Sequence, residues 1–214
     1  MVRVPLPQFA TDDREPGHIG EVIETATTEF VAQCLEPETL DFPAMPPFGS
    51  WVKAQDEESG NLILAVVTYV TTCPIDSVHR ARALGMSLEE LREQQPQIFA
   101  MLKTEFRSAI AGFIDSQQKP FQYLPPRPPQ IHQAVHKCTA EEVLSFTTEF
   151  DFLRMLLQVS DVPTEALVGS VLRDIYQLRK CDRSWLVAAG RALSLLMRDN
   201  YDGLKYILGQ IHSV

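Results

Sequence analysis

Residues 62–72 read Leu-Ile-Leu-Ala-Val-Val-Thr-Tyr-Val-Thr-Thr, and little but a β-strand accommodates such a stretch. Its unbroken apolar part is six residues long, far short of the ~20 needed to cross a bilayer. Its β-branched side chains favour a pleated surface over a helix. Asp56-Glu-Glu-Ser-Gly-Asn61 precedes it as a strong turn signal. The same grammar recurs upstream. Ile19, Val22 and Ile23 before the polar Thr25-Ala-Thr-Thr28, with Phe30, Val31, Cys34 and Leu35 after it, predict a hairpin. Residues 48–54, Phe-Gly-Ser-Trp-Val-Lys-Ala, predict a further strand, with Gly49 at a turn or bulge. Short strands with frequent turns point to a small antiparallel barrel or sandwich rather than a parallel sheet.

From Ser87 the hydrophobic pattern takes on a helical period. Ser87-Leu-Glu-Glu90 is a capping box. Ile98, Leu102, Phe106, Ala109 and Phe113 follow at spacings of four, four, three and four, which predicts a long helix started or kinked by Pro96. Leu124-Pro-Pro-Arg-Pro-Pro129 excludes helix and central strand. It reads as a rigid connector, with an SH3-type polyproline ligand as the competing reading. Ile131 to Cys138 predicts a closing strand. Thr139-Ala-Glu-Glu142 is a second capping box, opening a helix with Val143, Phe146, Phe150, Leu153 and Leu157 inward. Pro163 begins the next, and residues 184–197 and 201–211 complete four antiparallel helices. The expected architecture is α+β: an extended lead-in over 1–16, a small antiparallel β-barrel over 17–138 with a helical insertion at about 87–117, and a helical bundle over 139–214. Barrel and bundle are expected to share one interface.

The N-terminus lacks the apolar core of a secretory signal, so a cytoplasmic protein is expected. Four cysteines, Cys34, Cys73, Cys138 and Cys181, lie far apart with no C-x-x-C pair and read as packed thiols. Residues 1–60 hold twelve acids against three bases, which is the whole of the −9 net charge, while the remainder holds sixteen of each. Such an acidic quarter repels phosphate. The exception is a basic stretch from Arg173 to Arg198, with six bases against Asp174 and Asp182.

No phosphate-cradling glycine loop is present, and Gly49-Ser-Trp51 is not the elbow that exposes a nucleophilic serine. His132-Gln-Ala-Val-His136, with Cys138 beyond, is the one metal-like spacing. Gln133 replaces the glutamate a zinc protease would use as base, and a fourth ligand is not in view. Neither metal nor cofactor is expected.

Ile19-Gly-Glu-Val-Ile-Glu-Thr-Ala-Thr-Thr-Glu-Phe-Val-Ala-Gln33, Pro47-Phe-Gly-Ser-Trp-Val-Lys53 and Ile63-Leu-Ala-Val-Val-Thr-Tyr-Val70 together resemble the HAS-barrel family. That barrel stands at the N-terminus of HerA-type DNA translocases and of rotary ATP synthase catalytic subunits. The likeness is greatest to stand-alone cyanobacterial HAS-barrel proteins, where Pro125-Pro-Arg-Pro-Pro129 before a final strand also fits. Here the barrel leads into helices, so no nucleotide-binding residue carries over. The resemblance implies an oligomerising or docking module.

The expectation is thus a non-enzymatic interaction protein, an assembly or regulatory factor binding other proteins, a homo-oligomer included. Candidate contact residues are Asp56, Glu57 and Glu58 on the acidic turn, facing a basic protein surface, and Arg173, Arg179, Lys180 and Arg183 on the basic stretch. Nucleic acid is disfavoured as a partner. An accessory factor of a nucleic-acid machine is the alternative, and an enzyme with an unrecognised site, including a metal held by His132, His136 and Cys138, the second.

Overall fold

The computed structural model describes residues 15–36, 45–75 and 82–211. Asp56 N–H donates to the Asn61 carbonyl at 2.9 Å, closing the turn between β3 (Trp51–Gln55) and β4 (Leu62–Pro74). The hairpin upstream is β1 (His18–Thr25) and β2 (Glu29–Cys34). Two further long-range partners are β5 (Leu102–Ile114) and β7 (Ala134–Lys137), with the two-residue β6 (Pro120–Phe121) appended to β5. The strand order is β2-β1-β7-β3-β4-β5, and β5 pairs back to β2. Six antiparallel strands therefore close into a barrel, which leaves none of them as an open edge.

The long helix expected across 98–113 is a strand. Between β4 and β5 only α1 (Leu88–Gln94) and the single turn α2 (Gln97–Ala100) are helical among the described residues, so the helical insertion ends where β5 begins. A spacing of four is also a multiple of two, so Leu102 and Phe106 fit either period. The strand's inward alternation includes Thr104 and Ser108, both fully buried, and those polar positions hide the period-two signal. A bulge at Ala111, between the pairs Ala65↔Ile110 and Leu64↔Gly112, then shifts the inward phase to Phe113. No side chain fits at Gly112: a Cβ there would run into the Phe121 carbonyl.

After β7 come α3 (Ala140–Phe146), α4 (Phe152–Leu156), α5 (Thr164–Leu178), α6 (Arg183–Leu196) and α7 (Tyr201–Ile211). The helix expected from Thr139 is thus two short ones, broken where the Thr147 hydroxyl turns back on the Val143 carbonyl at 2.6 Å. Both capping boxes are present: Ser87 Oγ accepts from Glu90 N–H, and Thr139 Oγ1 from Glu142 N–H, each with the reciprocal bond.

Alternation divides β3 and β4 between two cores. Val52, Ala54, Ile63, Ala65 and Val67 fill the barrel with Val22, Phe30, Phe106, Ile110 and Val135. Trp51, Leu64, Val66 and, from β5, Ala111 and Ile114 face outward into a second core with α3 to α7. Trp51 meets Phe146 and Phe152 edge-on, with centroids 5.7 and 5.8 Å away. The 62–67 run is unbroken because this stretch of β4 is covered on both faces.

Candidate functional site

The helical layer seals the barrel wall over β3 and the adjoining parts of β4 and β5; among the described residues it leaves the outward side of β1 and β2 uncovered except at Thr28 and Glu29, which the segment from Met155 to Asp161 approaches. Because register is fixed by the inward Phe30, Ala32 and Phe106, the outward residues fall into cross-strand rows. Glu24, Val31, Arg107 and Tyr69 pair in succession across β1, β2, β5 and β4. Glu21, Gln33, Glu105 and Thr71 form the next row. Tyr69 is 56% exposed. Arg107 lies 3.8 Å from Glu29 and Lys103 2.6 Å from Glu105, so the bare face is acidic with two partly engaged bases. Sequence reasoning missed this face. Its signal, a solvent-exposed tyrosine among the threonines of the second half of β4, acquires meaning only with the register in hand.

The acidic turn expected to meet a partner is occupied within the chain. Asp56 is 1% exposed. Its carboxylate accepts from Ser59 Oγ at 2.5 Å and from Glu58 N–H at 3.3 Å, which folds the turn over it. Arg127 from the proline-rich segment reaches Asp56 Oδ2 at 3.5 Å and pairs with Glu58, and Gln130 donates to Glu58 at 3.0 Å. Of the three acids, Glu57 is exposed without such a link among the described residues. The same contacts place the prolines: Pro125 and Pro129 are buried, and the Pro129 carbonyl accepts from Thr25 Oγ1 at 2.6 Å. The segment is a strap across the barrel. The other acids of that N-terminal quarter at 12–13 and 38–41 lie outside the described residues.

The basic stretch also divides. Arg179 is turned inward: its guanidinium donates to the Leu144 carbonyl at 2.7 Å and the Thr147 carbonyl at 3.1 Å, and stacks 5.1 Å over the Trp185 ring. Arg173 is half-buried and donates to Ser170 Oγ at 3.3 Å. Lys180 and Arg183 are exposed, Lys180 in a left-handed turn with φ of 52°. Arg191 and Arg198 are exposed on α6 and at its end.

His132, His136 and Cys138 are not gathered. His132 sits before β7 in a left-handed conformation, φ 70°, and points to solvent near Glu21. His136 stacks on His18 with centroids 5.0 Å apart and lies 3.3 Å from Glu15. Burial first, and His18 second, push its pKa down. Cys138 packs against the helical core. Among the described residues no group of three or more His, Cys, Asp or Glu is arranged to hold a metal. Burial raises the Cys138 thiol strongly and Cys34 to about 11, so both stay protonated and poorly nucleophilic near neutrality. Trp51, Val143, Leu178 and Asp174 line an open groove between β3 and α5. Burial raises the Asp174 carboxyl.

Six antiparallel strands closed on themselves, with part of the wall sealed by helices, define a small barrel. Residues 19–115 match the family model of the HAS barrel domain, a span that runs through β1 to β5. This chain carries a HAS-barrel domain. β7, from beyond the matched span, inserts between β1 and β3 and completes the barrel. No curated protein matches the chain. Among the described residues no helix is long and apolar enough to cross a membrane.

Proposed function

We propose that this chain is a non-catalytic docking module, an assembly or regulatory factor that binds another protein on the bare face of its barrel. The observation that carries this reading is the asymmetry of the wall: helices cover one half, and the other displays two ordered rows in which Tyr69 and Val31 lie among Glu21, Glu24 and Glu105. An aromatic anchor within a ring of charge suits a basic protein surface with an apolar recess. The barrel interior is filled with side chains, so the fold offers its outside rather than a cavity. Quantitative capture compares wild type with a Glu24→Lys, Tyr69→Ser double variant. The reading requires a protein retained by the wild type and lost from the variant at unchanged melting temperature. Equal retention by both would reject it. Calorimetric titration with ATP and magnesium tests the non-catalytic part: a flat trace is expected, and saturable micromolar binding would contradict it.

Nucleic acid as partner draws support from the exposed Lys180, Arg183, Arg191 and Arg198 of the basic stretch. The acidic barrel works against it.

A further inference from the structure

Helices α1 and α6 each leave one face uncovered, and the two faces are of opposite charge. On α6 and at its end, Arg183, Val187, Arg191, Leu195 and Arg198 recur at spacings of four, four, four and three. The four within the helix, Arg183 to Leu195, therefore share about a third of its circumference, basic and apolar residues alternating along it, and Arg198 follows in the turn after the helix. All five are exposed, Val187 by 48% and Leu195 by 64%. The opposite side of α6 already supplies its core contacts through Trp185, Leu186, Ala189 and Leu193. Among the described residues, Arg183, Arg191 and Arg198 have no ion-pair partner.

Helix α1 carries the complement. None of its residues is buried. Leu88 is 50% exposed, and Leu84 just before it 45%. Glu89 and Glu93, one turn apart, are exposed and unpaired among the described residues, while Glu90 is held in the cap by Ser87. The inner side of α1 is held through Arg92, which stacks 5.9 Å over the buried Phe99 ring, while Leu88, Glu89 and Glu93 stay exposed. Within one chain the two faces do not cover each other, since both stay exposed.

We infer that α1 of one copy docks on the α6 face of a second copy. Leu84 and Leu88 would cover Val187 and Leu195, and Glu89 and Glu93 would meet Arg191 and Arg198. A phosphate backbone would satisfy the arginines but leave the two aliphatic residues between them uncovered. The paired faces differ, so the contact is head-to-tail and leaves an α6 face free on one copy and an α1 face free on the other. The patch is small, so association is weak and salt-sensitive. This contact uses neither row of the bare barrel face and stands apart from the docking proposal.

Sedimentation velocity on the full chain tests it with two charge-reversed variants, Arg191→Glu with Arg198→Glu, and Glu89→Lys with Glu93→Lys. All four positions are exposed, and unchanged melting temperatures verify folding. Wild type is expected to associate beyond a dimer at low salt and to dissociate at high salt. Each variant alone should be monomeric, because its two faces then carry charge of the same sign. Their mixture restores both pairings. The native α1 face of the arginine variant meets the native α6 face of the glutamate variant, and the reversed α1 face of the latter meets the reversed α6 face of the former. The mixture should therefore recover association that neither variant shows alone. A wild type that stays monomeric at low salt would overturn the inference, as would variants that associate like wild type or a mixture that does not associate. Loss of oligonucleotide binding in the arginine variant, with a monomeric wild type, would overturn it in favour of a phosphate surface.

Discussion

Asp56 and Arg127 lie far apart in sequence, and their contact decides the role of two segments at once. A carboxylate that is 1% exposed is stable only when its oxygens are engaged. Ser59, the Glu58 N–H and Arg127 engage them. Asp56→Ala should cost about 2 kcal/mol in urea unfolding, since it removes hydrogen bonds to a charged group. Arg127→Ala should cost about 1 kcal/mol, less because the arginine is half-exposed and screened. Equal, negligible effects would mean that the strap is not held by this clamp. A sequence reading places charged turn residues in solvent because burial here depends on a partner in a distant segment. The local part of the same turn was legible from Asp56-Glu-Glu-Ser-Gly-Asn61 alone.

Among the elements, β5 and α3 carry the clearest consequences. Phe106 is fully buried in the barrel, so Phe106→Ala should cost ~3 kcal/mol or more. An unchanged melting temperature would show that β5 does not fill the barrel. Helix α3 is tied to β3 by Lys53, whose ammonium lies 2.5 Å from Glu142 Oε1, while Glu142 Oε2 accepts from Thr139 N–H at 2.8 Å. Burial raises the Glu142 carboxyl, but Lys53 and the cap outweigh it and hold its pKa below the ordinary glutamate value. The folded state then binds fewer protons than the unfolded chain in the acid range. The tie contributes fully above the ordinary glutamate pKa and is lost as pH falls through the lower folded value. The melting-temperature gap between wild type and Glu142→Gln should therefore narrow from about pH 6 to about pH 3. A gap that widened on acidification would reverse that assignment. Element type was legible wherever local chemistry dictates it, as in the two capping boxes, the Thr25-Ala-Thr-Thr28 hairpin and the span of α7. It failed at β5, where Thr104 and Ser108 take inward positions and a spacing of four suits both periods.

At the scale of the whole molecule, the barrel and helices act as one body through Trp51, Leu64 and Val66, and the consequence is a wall with two unlike halves. The presence of barrel and helices could be read from hydrophobic period, but the bare face could not. Glu24, Val31, Arg107 and Tyr69 become neighbours only through the pairing of four strands. Hydrogen exchange of the chain alone and bound to its captured protein tests that face most directly. Exchange should slow in β1, β2 and the first half of β5, with α5 and α6 unchanged. Slowing confined to the helices, with β1 and β2 exchanging as in the free chain, would contradict docking on that face.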